Sequence, residues 1–96
     1  MTGVRLVIQF TADTPEVADA AIARSVERCK SASQEPGCLQ FEVFRSALSP
    51  ERYVLLEHWE SQDALDVHAD GNRANPPRPQ PGITSQREDY VYNRTR

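Results

Sequence analysis

The sequence predicts an α+β chain with the element order β-α-β-β-α-β, one four-stranded antiparallel sheet with both helices on a single face. Three observations predict it. Apolar residues alternate with strand-like period over 4–10, 38–45 and 52–59. A segment with helical spacing separates the first two of these stretches. The chain has 96 residues, enough for one domain spanning 1–96.

Strand one is VRLVIQF, with Val4, Leu6, Ile8 and Phe10 on one side and Val7 on the other. Thr14 can cap a helix whose first turn holds Pro15 and Glu16, which suits the free backbone N–H groups and the helix dipole. Ala18, Ile22, Val26 and Cys29 then recur at helical spacing, with Ala21 and Ser25 beside them. This face of small residues predicts close packing on a sheet. Asp19, Glu27, Arg28 and Lys30 read as the solvated side.

Glu35-Pro36-Gly37 ends that helix and turns the chain. Strand two, CLQFEVFR, is read with Leu39, Phe41 and Val43 on one side and Cys38, Gln40, Glu42 and Phe44 on the other. SALSPE is a hairpin-length connection to strand three, RYVLLEHW. Ser61 opens a short second helix, SQDALDVHA (61–69), with Ala64, Leu65 and His68 on one face. Residues 70–83 form a proline-rich loop, because the prolines at 76, 77, 79 and 81 cannot be helical. A weaker fourth strand covers 84–93, with Tyr90 and Tyr92 on one side, and a polar tail covers 93–96.

Strand three is apolar on both faces, with Tyr53, Leu55 and Trp59 on one and Val54 and Leu56 on the other. Two helices cover only one face of a sheet. The second predicts a partner, most simply another copy, so a homodimer is expected.

Composition excludes several functions. The net charge of −3, with both signs mixed along the chain, leaves no basic stripe for a phosphate backbone, so no nucleic-acid partner is expected. No apolar run has the roughly 18 residues of a membrane span, and MTGVRLVIQF lacks the layout of a secretion signal. The expectation is a cytoplasmic protein. Cys29 and Cys38 fit two small hydrophobes in a reducing compartment better than a redox pair. His58 and His68, with Glu57 and Asp66 nearby, have no recognised metal-ligand spacing, so no metal is expected. There is no G-x-S-x-G elbow and no Gly-rich phosphate loop.

The positive signal is Trp59 and His68. Trp59 shares a strand face with Glu57, Leu55 and Tyr53, and His68 looks inward from the second helix. Both can meet between helix and sheet. A cavity walled by Trp59, Tyr53, Phe41 and Leu65, with Glu57 and His68 as its polar groups, has the composition of a small-molecule pocket. The alternative is that both rings are simply packed, with their N–H groups satisfied locally.

EPGCLQFEVFR followed by RYVLLEHWESQDALDVHA resembles the antibiotic biosynthesis monooxygenase family. The family run "hhhhE-x-W-x-x-x-x-x-L-x-x-H", with h apolar, is Val54–His68 here, with Glu57, Trp59, Leu65 and His68 at the marked positions. The resemblance implies a ferredoxin-like protomer, a homodimer whose sheets form an α+β barrel, and a pocket in each protomer. It implies an oxygenase that needs no cofactor and acts with O₂ on a phenol or quinol of polyketide type. Trp59 would stack on the substrate ring and His68 would take the phenolic proton. Glu57 would hold the histidine, with Tyr53, Phe41, Leu55 and Leu65 as substrate-binding wall. Two other readings stay open: a cyclase or isomerase of a polyketide-like carbonyl compound, and a dimeric small-molecule-binding module without catalysis. Relatives carry a second histidine or aromatic and a further wall helix where this chain has ADGNRANPPRPQPG. Haem-degrading relatives use a strand-one asparagine, and this strand offers only Gln9.

Overall fold

Thr14 and Ser61 decide where the two helices begin. Each sits in extended backbone, and each hydroxyl accepts a hydrogen bond from an N–H three residues on, Val17 and Ala64, both at 3.1 Å. The helices that follow are α1 (Pro15–Ala32) and α2 (Gln62–Ala74), and the strands are β1 (Gly3–Ala12), β2 (Cys38–Arg45), β3 (Arg52–Trp59) and β4 (Ile83–Tyr92). This is a computed structural model, and it describes residues 3–76 and 80–93. Positions 77 and 79 of the proline-rich loop and 94–96 of the expected polar tail lie outside the described residues.

The strands form one antiparallel sheet in the order β2-β3-β1-β4. Register fixes what faces the helices. Val4 pairs with Trp59, Leu6 with Glu57, Ile8 with Leu55 and Phe10 with Tyr53, so these side chains share the covered face. On the same face β4 presents Arg87 opposite Ile8 and Asp89 opposite Leu6. A slip of one residue would expose this whole set. Val4, Leu6, Ala32, Phe41, Leu55, Trp59 and Leu65 form one buried cluster. Ala12, Ala18, Ala21 and Tyr53 form a second, beneath the first half of α1.

Three expectations need correction. The α2 helix does not stop at 69; it continues through Ala74, with Asn75 as its C-cap. Gly71 tolerates the helix because a glycine there costs only about 1 kcal/mol. Pro76 is the true stop, since a proline drives the residue before it out of helical backbone. On β2 the register shifts between Cys38 and Gln40. That bulge turns Cys38 toward the core and leaves Leu39 52% exposed, the reverse of simple alternation. On α1 the buried positions are Ala18, Ala21 and Ala32, with Cys29 packed against the core, and Val26 is exposed.

The other face of the sheet is uncovered in the single chain. It carries Val7, Val54, Leu56 and Phe44, with Arg5, His58 and Tyr90 in register. Phe44 and Tyr90 are exposed, and β4 is exposed along all but its two end residues. Among the described residues no helix is long and apolar enough to cross a membrane.

Candidate active site

Gly37 brings the two halves of the site together. Its backbone is left-handed at φ +81°, and a Cβ there would lie 2.5 Å from that of Ala64. Only glycine allows both the turn and the contact with α2. The Glu60 N–H donates to the Gly37 carbonyl at 2.8 Å and ties the turn to the end of β3. The turn therefore holds Glu35 against α2, beside His68.

His68 is 7% exposed. Its Nδ1 lies 3.0 Å from both carboxylate oxygens of Glu35, and its Nε2 lies 3.3 Å from the side-chain nitrogen of Asn72. Oδ1 of Asn72 accepts from Nη2 of Arg28 at 3.3 Å. These contacts orient one another. A guanidinium can only donate and an ionised carboxylate can only accept. The Asn72 oxygen must then face Arg28 and its amide N–H must face the imidazole. Nδ1 carries the proton given to Glu35, and Nε2 is left as the accepting nitrogen.

The imidazole is also wedged between rings. Its centroid lies 4.7 Å from that of Trp59 and 5.5 Å from that of Phe41, the latter edge-on at 60°. Trp59 is 0% exposed, and its Nε1–H donates to Oε1 of Glu57 at 2.9 Å. Tyr53 stacks on Phe10 with centroids 4.8 Å apart, and burial pushes its phenol pKa up, so the group stays neutral.

A cavity of about 380 Å³ lies between the sheet and the helices, within the range of organic-ligand sites. His68, Glu57, Tyr53, Phe41, Leu55 and Leu65 all border it. Trp59 does not. The indole has no free face for a substrate ring, because the cross-strand pair with Val4 and the imidazole enclose it. Glu57 also differs from expectation. Its described bond is to Trp59, and the carboxylate that holds His68 is Glu35.

Sequence reasoning misses Glu35, Asn72 and Arg28. Glu35 reads there only as part of a turn. Asn72 sits four residues after His68, a same-face spacing that becomes visible once α2 continues past 69. Arg28, which reads as part of the solvated side of α1, reaches the cavity rim and lies 6.0 Å from the Phe41 centroid. The thiols of Cys29 and Cys38 are free and half-buried, and desolvation raises both pKa values. They are therefore poor nucleophiles. Among the described residues no cluster of three or more His, Cys, Asp or Glu side chains could hold a metal ion.

The chain resembles known proteins along most of its length. It is 34% identical over 61 residues to a mycobilin-producing haem oxygenase of Mycobacterium tuberculosis, a match covering 55% of this chain and 58% of that relative. A conserved protein of unknown function from Bacteroides thetaiotaomicron shares the fold with a TM-score of 0.77 at 18% identity, covering 95% of this chain and 98% of that one. SnoaB, a cofactor-independent oxygenase from Streptomyces nogalater solved as a point mutant, superposes with a TM-score of 0.62 at 21% identity, covering 97% of this chain and 95% of that one. The profile of the antibiotic biosynthesis monooxygenase family matches residues 3–74. The chain belongs to that family.

Proposed function

We propose that the protein is a cofactor-independent oxygenase of a small electron-rich phenol or quinol. The observation that carries this reading is the directed chain Glu35–His68–Asn72–Arg28, which makes Nε2 of a buried histidine an acceptor at the wall of the cavity, held in the single chain by a long contact from the Asn72 amide. A phenol that displaces that amide gives its proton to Nε2. The electron-rich phenolate then reduces O₂ directly, so the protein supplies a base and an orientation. One oxygen atom enters the ring and the other leaves as water with two of the substrate's hydrogens. Glu35 and Trp59 are positioning residues. The first fixes the tautomer, and the second packs behind the imidazole and holds Glu57. Phe41, Tyr53, Leu55 and Leu65 shape the space.

Replacing His68 with alanine is the direct test, with oxygen uptake read against a panel of quinols and anthrones. We expect the rate to fall at least about 100-fold while far-UV circular dichroism stays native. Oxidation by the variant at the wild-type rate would remove the base from the mechanism. Turnover of a carbonyl substrate without oxygen uptake would favour a cyclase or isomerase.

A second reading has the 34% identity to a haem oxygenase in its favour, with haem as substrate. The cavity side of β1 argues against it, being Leu6, Ile8 and Phe10, while Gln9 pairs with Val54 on the opposite face. Haemin titration separates the two, since a saturable, His68-dependent shift of the Soret band would favour haem.

The uncovered sheet face is proposed to pair with a second copy of the chain. Val7, Phe44, Val54 and Leu56 supply an apolar patch across three strands. A Leu56→Asp substitution would place an unpaired charge in each half of that interface. The dimer dissociation constant is expected to rise at least about 100-fold in sedimentation, with the protomer still folded. A wild-type protein that sediments as a monomer at high concentration contradicts this pairing.

A further inference from the structure

Among the described residues two guanidinium groups border the cavity, and they differ in what they hold. Arg87 on β4 donates through Nε and Nη2 to both oxygens of Asp89, at 2.7 and 2.8 Å, a bidentate pair that neutralises it. Arg28 on α1 has no carboxylate partner among the described residues. Its described hydrogen-bond acceptor is the uncharged amide of Asn72. A guanidinium carries five donors in a planar fork suited to two oxygens of one carboxylate, so most of this fork is uncommitted.

The carboxamide of Asn72 shows what a ligand has to look like. It presents an acceptor to Arg28 and a donor to Nε2 of His68, both at 3.3 Å, through one small planar group. Both contacts are long for hydrogen bonds of this kind, so a better-matched group can displace them. A hydroxyl and a carboxylate on adjacent ring carbons present the same pattern, with the carboxylate accepting from the arginine and the hydroxyl donating to the histidine. Among the described residues the one acid in the cavity wall, Glu57, already accepts the indole N–H of Trp59.

The geometry points to a substrate that is itself an anion, an aromatic diol with a carboxylate beside the reacting hydroxyl, held by Arg28 while His68 takes the proton. The inference rests on the proposed use of this cavity by a phenol and adds the group that selects among phenols. The hydroxyl gives its proton to Nε2, and the carboxylate stays ionised and unchanged.

The test uses 1,4-dihydroxy-2-naphthoate and its 2-carboxamide, which have the same shape and differ in charge. Both are titrated anaerobically into wild-type protein and into Arg28→Gln and Arg28→Lys variants. Wild type is expected to bind the acid at least about tenfold tighter than the amide, as a charge-assisted pair predicts. Arg28→Gln should erase that preference and Arg28→Lys should keep part of it, since lysine retains the charge without the fork. Equal affinity for acid and amide in wild type, a preference that survives Arg28→Gln, or no saturable binding of either probe overturns the inference. Admitting oxygen to the same samples separates it from the proposed activity. An acid preference without oxygen uptake leaves the anion site standing and removes the oxygenase. Equal binding with rapid uptake of oxygen does the opposite.

Discussion

His58 and His68 belong to opposite faces of one sheet, and the surroundings make them different groups. On the covered face His68 is enclosed by Trp59 and Phe41, with the Glu35 carboxylate on one nitrogen and an amide donor on the other. On the uncovered face Nε2 of His58 meets the hydroxyl of Tyr92, and Arg5 lies opposite in register. Burial and the neighbouring guanidinium both push the His58 pKa down, which favours the neutral ring. A carboxylate behind one imidazole fixes which nitrogen accepts a proton; a cation beside the other discourages it from taking one. Residue type alone does not set what a histidine's two nitrogens do. The elements packed around it do.

That contrast can be broken most severely at Trp59. Replacing it with alanine empties the most buried large side chain of the covered face and leaves Glu57 without its N–H partner. Urea unfolding should show a loss of about 3–5 kcal/mol. A loss no greater than that of Phe44→Ala on the uncovered face would mean the two faces are not differently packed.

The next effect in size sharpens the His68 side. A Glu35→Gln substitution keeps the shape but lets either tautomer of the imidazole persist. Oxygen uptake with a quinol is expected to fall about tenfold through kcat, with KM little changed. The pH–rate profile should shift, and Glu35→Asp should recover part of the rate. Glu35 is partly exposed, so thermal stability should hardly move. An unchanged pH profile would leave Glu35 a structural contact only.

The smallest effect lies on the His58 side. Removing the hydroxyl in Tyr92→Phe should cost about 1 kcal/mol or less. Its pH dependence has a definite sign. The folded protein holds His58 below its ordinary pKa of 6.5, so over that interval the unfolded chain binds more protons. The contribution is complete above pH 6.5 and fades as pH falls through the lower folded value. A His58→Gln variant should flatten that part of the stability curve, and an identical acid limb in both proteins would argue against it.

The parts of this molecule that repeat were readable in the sequence. Period-two alternation in Val4–Phe10 and Arg52–Trp59 set both the strands and the face on which Glu57 and Trp59 lie, because register preserves parity across a sheet. Parity failed at Leu39, where one extra residue at the bulge reverses the sides. The approach of Trp59 and His68 was also legible. The exclusion of Trp59 from the cavity was not, since a strand pattern says which face a ring is on and nothing about what covers it. Glu35 and Arg28 escape notice for a related reason. Both look solvent-facing within their own elements, and only the packing of α2 on the turn brings partners to them.

The hydrogen at the α-carbon of Gly37 works as a spacer gauge. With no room for a larger group there, the gap between the second helix and the pleated layer is set from the other side of the contact, at position 64. Any group larger than the methyl at position 64 has to push the second helix away from that turn, so the spacing of the two layers tolerates loss at this alanine far better than growth.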